Sequence, residues 1–370
     1  MAEPNTSMTE IIRREAVLVP VVAVGLLAFF FEDEPFAKGS IPALIAAVVL
    51  IAAVVAVSVR VAHHAEVLAA KVGDPYGTMI LTLSAVLVEV VILLILMNGA
   101  SSPTLARDTI FSAVMLDING ILGLAALLGG WKFGEQPYND DSGKTYGAMI
   151  MTAMGISMVV PEFVPVAQWH AYSIFTILAM VMLYWVFLRN QIGAHSYFFN
   201  YSYEDKKRAS KRMPADEPLL PSLIFLIIEI VLVGLLAEVM SGFMSEGLRA
   251  ISAPLGVAAL IVATMSAAPE MLTALRAALA NRMQVVINIA LGASLSTVIL
   301  TVPVIEASAL IRSQPITMAM TPVQTVLAAI TLIVAAINLN DGETNAIEGM
   351  THFVLFGTFL ALTLLGIAAG

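Results

Sequence analysis

Residues 77–94 read GTMILTLSAVLVEVVILL, and residues 256–275 read GVAALIVATMSAAPEMLTAL. Each is an apolar run long enough to cross a bilayer as a helix, and each carries one carboxylate, Glu89 or Glu270. A lone acid near the bilayer centre costs about 2.5–3.5 kcal/mol on insertion scales. A chain that bears this cost twice, in similar local frames, is expected to use the two groups together. The reading is an ion site built from the pair.

Composition agrees with a membrane chain. Hydrophobic residues make up 59% of the 370 and charged residues 12%, with a mean hydropathy of +0.91. A soluble chain is about half apolar and about a quarter charged, and one with so little charge would expose large apolar patches. The net charge of −9, without a basic run interleaved with aromatics, argues against nucleic acid as a partner. Cysteine is absent, which excludes disulfides and sulfur-ligated metals, and five histidines do not point to a zinc or copper site. No cofactor is expected. The first apolar run ends in AFFFEDEPF without an A-x-A-like cleavage site, so it reads as a first transmembrane helix. No HExxH, GxSxG, P-loop or dinucleotide fingerprint occurs, and no enzyme chemistry is expected.

Eleven apolar runs are long enough to span: 15–31, 42–70, 76–98, 105–130, 144–166, 169–190, 218–242, 253–279, 283–311, 317–338 and 347–368. One long polar connection, HSYFFNYSYEDKKRASKRMPADEPLLP (195–221), carries five Lys/Arg within 206–212 and reads as a solvated linker. The expected organisation is a tail and first helix in 1–40, a five-helix repeat in 41–191, a cytoplasmic basic linker in 192–217 and a second five-helix repeat in 218–370. With the amino terminus in the cytoplasm, only Lys38, Arg107, Arg249 and Arg312 of the 18 basic residues fall outside. That asymmetry is the positive-inside pattern. The expected location is the inner (plasma) membrane, multi-pass, carboxyl terminus outside, with the lipid bilayer as partner and homo-oligomer formation left open.

Five helices per repeat, an odd number, force the two halves into opposite orientations. The sequence carries traces of such a repeat. AEVLAAKVG (65–73) precedes the Glu89 run and AEVMSGFMS (237–245) precedes the Glu270 run. LSAVLVE and MSAAPE place Ser84 and Ser266 ahead of the two glutamates, and DINGILG (117–123) and NIALGASLST (288–297) follow one span later. Inverted repeats with the site at their interface are a recurring transporter design.

Two carboxylates balance one divalent cation and can hold protons when it is absent. Ca²⁺ takes six to eight oxygens from carboxylates, carbonyls and water. Pro269 removes a backbone donor beside Glu270, and an interrupted helix with freed carbonyls is expected there. Asp117, Asn119, Asn288, Ser294, Ser296 and Thr297 read equally as ion path or second layer and as polar glue between helices, with Asp117 leaning to the site. Gly120, Gly123 and Gly292 are expected to let helices approach closely. Glu66 and Glu238 share an AEV context on opposite sides of the membrane and are candidates for proton relays or gates, with snorkelling carboxylates as the equal alternative. His63 and His64 neighbour Glu66, and His63 is a candidate for tuning access by pH. Glu162, between two prolines, reads as loop. His352 reads as packed or interfacial, and Glu229 has no assigned role.

The stretch SAAPEMLTALRAALANRMQVVINIALGASLSTVILTVPVI resembles the second signature of the cation/proton exchanger family of the calcium/cation antiporter superfamily. ILTLSAVLVEVVILL resembles the first, and LARDTIFSAVML, LLGGWKFGEQ and TNAIEGMTHFVLF add to the likeness, which is closest to the bacterial ChaA-type branch. The resemblance implies an all-α polytopic membrane protein of about 11 transmembrane helices, one leading helix plus two inverted repeats of five. It implies efflux of Ca²⁺, or in some members Na⁺ or K⁺, against protons. It makes Glu89 and Glu270 the central ion ligands, Glu66 and Glu238 the acids ahead of each signature, and Ala293, Ser294 and Ser296 part of the ion path. Calcium members carry Asn three residues ahead of each central glutamate; Val86 and Ala267 stand there instead. Two fewer amide oxygens keep Na⁺ and K⁺ as alternates to Ca²⁺. Na⁺/Ca²⁺ exchange and monovalent cation/proton antiport on the same fold are the rival readings.

Overall fold

The computed structural model describes residues 13–31, 41–72, 76–99, 103–192, 219–314 and 316–368. The basic linker and the EDEPF segment lie outside the described residues. Eleven helices are found among those described. They are α1 (Leu18–Phe30, led by a 3₁₀ turn, Glu15–Val17), α2 (Ile41–Val72), α3 (Tyr76–Gly99), α4 (Leu105–Phe133) and α5 (Asp140–Phe163). They continue with α6 (Trp169–Ile192), α7 (Leu219–Ala250), α8 (Leu255–Leu279), α9 (Met283–Arg312), α10 (Pro322–Asn338) and α11 (Ala346–Leu364). Nine are long and apolar enough to cross a membrane; α1 and α10 are shorter. The protein is all-α and multi-pass.

Helix ends follow local chemistry. Asn139 caps α5 by accepting from Asp141 N at 3.0 Å, and Asn345 caps α11 by accepting from Ile347 N and Glu348 N. The run expected to begin at 317 starts only at Pro322. Thr321 and Gln324 form a capping box there and Pro322 takes the first helical position, where its missing N–H costs nothing.

The helices sort into two compact units, and these are not the two sequence halves. One unit holds α1, α2, α3 and α7; the other holds α4–α6 and α8–α11. In the first, α2 and α7 are each 32 residues long and run antiparallel. His64 lies beside Glu229 near one end of the pair, and Leu44 lies beside Gly247 near the other. At Gly247 a Cβ would sit 3.0 Å from the Leu44 Cα, so glycine permits the close crossing. α2 and α7 thus point in opposite directions.

In the second unit α4 is the most enclosed helix: 94% of its apolar window is buried, against 22% for α6 and for α11. Loops cluster at two ends. At one, the strands β1 (Gln136–Pro137) and β2 (Glu343–Thr344) pair antiparallel, and Gln136 Nε2 donates to Ala278 O and Asn281 Oδ1. At the other, Thr317 N donates to Pro103 O and Met320 N to Met158 O. These are the groupings that alternate crossing assigns to one side and to the other.

Candidate functional site

Glu89 lies in the first unit on α3, with 5% of its surface exposed. It shares a face with Ile92, Leu93 and Leu96, all buried, as the i, i+3, i+4, i+7 spacing requires. Ser84, one turn earlier on α3, is also buried. α3 packs against α2 and α7; a Cβ at Gly234 of α7 would come within 3.3 Å of Val91. Glu66 on α2 and Glu238 on α7 are exposed. By the antiparallel register of these helices they stand about 18 Å apart along the pair, counting about 1.5 Å per residue. His63 lies edge-on to His64 at 5.4 Å.

Glu270 lies in the second unit on α8 and is half-buried. The interruption expected at Pro269 does not occur: α8 is continuous from Leu255 to Leu279 with the proline inside it. The Met265 carbonyl still loses its i+4 donor, because proline has no N–H. Neighbouring hydroxyls bond the surrounding turns, Ser266 Oγ to Ala263 O at 3.0 Å and Thr273 Oγ1 to Pro269 O at 3.0 Å.

The second unit brings Asp117 and Ser294 together. α4 widens into a π segment over Leu116–Leu122, and α9 does the same over Thr297–Thr301. These helices occupy the same place in the two halves. Ser294 Oγ, one turn before the second π segment, donates to Asp117 Oδ2 in the first at 3.2 Å. Asp117 is 2% exposed and Ser294 is fully buried. In α9 the cause is visible: Pro303 removes the donor for the Ile299 carbonyl. π segments recur at functional sites because the wide turn shifts carbonyls out of the ordinary ladder. Ser296, also buried, turns back to Gly292 O at 2.6 Å, and Thr297 opens the second π segment.

Two expected site residues hydrogen-bond to other polar side chains. Asn119 Nδ2 donates to Thr331 Oγ1 at 2.7 Å, and its Oδ1 accepts from His352 Nδ1 at 2.9 Å. An amide oxygen can only accept, so His352 carries its proton on Nδ1. The triad ties α4 to α10 and α11 and explains His352 as a buried, packed histidine. Asn288 Oδ1 accepts from Gln284 Nε2 at 3.0 Å, and Gln284 in turn bonds Ser142 Oγ and the Asn139 N–H. That network joins α9 to the start of α5. Gly123 does allow close approach, since a Cβ there would sit 2.8 Å from the His352 Cβ. Gly120 is tight against Phe356, whereas Gly292 meets nothing nearer than Tyr146 Oη at 3.6 Å, an ordinary contact. Glu162 sits exposed in the 3₁₀ turn Val160–Phe163, as its flanking prolines predict.

Sequence reading passed over several buried polar groups. Glu306 on α9 is 3% exposed. Asp108 accepts from Arg107 Nε at 2.9 Å and from Gln324 Nε2 at 2.7 Å, while Arg107 Nη1 reaches Ala319 O at 3.0 Å. Arg-Asp inside an apolar run was the available signal for this group.

Known proteins place this arrangement. The family described as sodium/calcium exchanger protein matches residues 42–193 and 221–365. The chain is 30% identical to the sodium-potassium/proton antiporter ChaA of Escherichia coli (strain K12) over 354 residues, 94% of this chain and 95% of that protein. Among solved structures it is similar to native YfkE, with a TM-score of 0.73 at 18% identity over 94% of this chain and 99% of the other. It is similar also to the H⁺/Ca²⁺ exchanger CAX, with a TM-score of 0.66 at 15% identity over 94% and 88%. At such identities the structures speak to the fold, an all-helical membrane exchanger fold. The matched stretches take in the helices of both glutamates and stop on either side of the basic linker. Fold and sequence agree with the likeness to cation/proton exchangers, and the chain belongs to the sodium/calcium exchanger protein family.

Proposed function

We propose that this chain is a proton-driven cation antiporter of the plasma membrane, exporting Ca²⁺ by alternating access, with Glu89 and Glu270 as the carboxylates for which cation and protons compete. One observation carries the reading: in a family of exchangers, each of these residues is the only acid on its membrane-crossing helix. Two ionised carboxylates match the charge of one dication and supply the oxygens it prefers. Protonated, they are neutral and cross the apolar interior at lower cost, which couples the two flows without further machinery. Asp117, held by Ser294 between the two π segments, is assigned to the ion path together with Ser84, Ser266 and Ser296. Glu66 and Glu238 serve as relays or gates on opposite sides, a role supported by their exposure and their separation along α2 and α7. His63 tunes access beside Glu66.

The halves 41–191 and 218–370 act as inverted repeats, and the antiparallel α2–α7 pair is the moving element that slides or rocks. The amino terminus faces the cytoplasm and the carboxyl terminus the outside. A second reading is monovalent antiport, Na⁺ or K⁺ against protons. Val86 and Ala267, which stand where calcium members carry Asn, favour it, as does the name of the Escherichia coli relative.

The test is cation-dependent proton movement in proteoliposomes with an acidic interior, titrating Ca²⁺, Na⁺ and K⁺ separately. Collapse of the pH gradient at micromolar Ca²⁺ supports calcium/proton exchange, and collapse only at millimolar Na⁺ or K⁺ supports the monovalent reading. If folded, inserted protein responds to none of the three, proton coupling is refuted and Na⁺-driven Ca²⁺ exchange is the reading to test.

A further inference from the structure

A second acidic cluster lies in the first unit. Glu15, on the 3₁₀ turn that leads α1, reaches across to α2. Its Oε2 accepts from Arg60 Nε at 3.1 Å, Arg60 Nη2 bonds its Oε1, and His64 Nε2 lies 3.2 Å from that same Oε1. From α7, Glu229 Oε1 comes within 3.6 Å of His64 Nε2. One oxygen of each carboxylate and one imidazole nitrogen all lie within 4.8 Å of one another. Glu15 is 6% exposed, and His64 and Glu229 are wholly buried. The His64 ring stacks on Phe225, one turn before Glu229 on α7, at 5.6 Å and 13°. Neither Glu229 oxygen has a hydrogen-bond partner, and neither does His64 Nδ1.

The charges do not cancel. Arg60 offsets one carboxylate, which leaves one buried negative charge when His64 is neutral. Buried charge without compensation is strongly unfavourable. One positive charge at the His64–Glu229 contact removes the deficit. A proton fits better than a metal ion, because the Arg60 guanidinium already takes both oxygens of Glu15 in a fork that a dication would have to displace. The other charged groups and histidines on the packed elements are Arg13 and Arg14 on the lead-in to α1, His63, Glu66 and Lys71 on α2, Glu89 on α3, and Glu238, Glu246 and Arg249 on α7. Arg14 is exposed, and His63 meets His64 ring edge to ring face.

We propose that Glu15, His64 and Glu229 form a single-proton site, separate from the ion-handling acids, whose loading latches α1 onto the α2–α7 pair. Loaded, the imidazolium bridges a carboxylate on α1 and one on α7. Emptied, two carboxylates of different helices face each other in an apolar interior, and α1 is released. The latch holds the two helices assigned to movement, so it makes the exchanger's conformational freedom depend on pH at that end of the molecule.

The chain has no cysteine, which makes spin labelling direct. Nitroxides at Val19→Cys on α1 and Lys71→Cys on α2, both exposed positions, report the docking by pulsed electron paramagnetic resonance without any transport. The expected result is a narrow distance distribution at about pH 5.5 that broadens towards about pH 8.5. The docked-to-released ratio should change about tenfold per pH unit, the slope of one linked proton. Glu229→Gln removes the second charge and should stay narrow at both ends. His64→Gln should lose the pH step. A wild-type distribution that does not change with pH overturns the proposal, as does a step that survives in Glu229→Gln. Narrowing at alkaline pH on adding Zn²⁺, reversed by chelator, also overturns it and makes the cluster a metal site. The wild-type titration decides alone should either variant fail to fold.

Discussion

Gly349 and Gly357 stand two turns apart on α11, and replacing each by alanine should have opposite effects. A Cβ at Gly349 would meet the backbone of α4, clashing with Leu127 N and lying 2.7 Å from both Ala126 C and Leu127 Cα. Ordinary carbon contacts are about 3.5–4.0 Å, so the two helices must part by about 1 Å. Neither contact is the end of a flexible side chain that can swing away. The Asn119–His352 bond spans this interface at 2.9 Å, and a shift of that size takes it beyond hydrogen-bonding distance. Overpacking at about 1–3 kcal/mol and a broken buried hydrogen bond at about 1–3 kcal/mol together predict a loss of about 2–6 kcal/mol. At about 2 °C per kcal/mol for a chain of this size, the midpoint should fall by about 4–12 °C. At Gly357 the added Cβ meets nothing within 4 Å, and Gly→Ala there should be neutral or stabilising by up to about 1 kcal/mol. The assay is thermal loss of the monodisperse size-exclusion peak in detergent for both variants beside the wild type. Equal midpoints for the two variants would refute the close α4–α11 packing.

Glu89→Gln and Glu270→Gln should each abolish exchange in proteoliposomes while the protein stays folded and inserted, and full activity in both would sink the assignment of the pair. Asp117→Asn keeps the shape and the acceptor for Ser294 but drops the charge. It should lower exchange at least about tenfold if the charge acts on the ion path, whereas a merely structural role leaves exchange intact, and flux assays separate the two. Gln324→Ala removes both the reciprocal half of the α10 capping box and a bond to Asp108, and should cost about 1–3 kcal/mol in thermal unfolding. Burial, followed by the nearby charges of Asp341, Glu348 and Asp140, pushes the Tyr138 phenol above its ordinary range. The folded state therefore favours the neutral phenol. Its contribution is complete below the unfolded value of about 10 and is lost as the pH rises through the folded one. Tyr138→Phe should resist alkaline unfolding better than the wild type, and identical alkaline midpoints would count against the shift.

Hydropathy carried the helices, because a span must satisfy its own backbone and announces itself as an unbroken apolar run. Glu89 and Glu270 stand out in the sequence for the same reason, as acids inside such runs. Partners across long sequence gaps were not legible. Glu229 looked isolated because what meets it, His64 and Glu15, comes from helices far earlier in the chain. Asn119 and Asp117 are two residues apart and identical in apparent promise, yet one bonds His352 and Thr331 while the other meets Ser294. Two positions along a helix turn a side chain by about 200°, so neighbours in sequence face different partners. Pro269 misled because a proline removes one donor, that of the Met265 carbonyl, and the helix runs on through it. The π segments left no sequence pattern beyond the glycines and Pro303 near them.

That each compact unit draws on both halves of the chain sets an order of events during synthesis. α3 is complete at residue 99, but the helix that shares its unit, α7, ends only at residue 250. About 150 further residues at about 5–20 per second leave α2 and α3 in the bilayer for about 8–30 s before their partner arrives. Throughout that interval α3 lacks the helix that later packs beside it. The first half of the chain is then a waiting intermediate, and the stretch of synthesis between α3 and α7 is when an insertase or membrane chaperone would have most to shield.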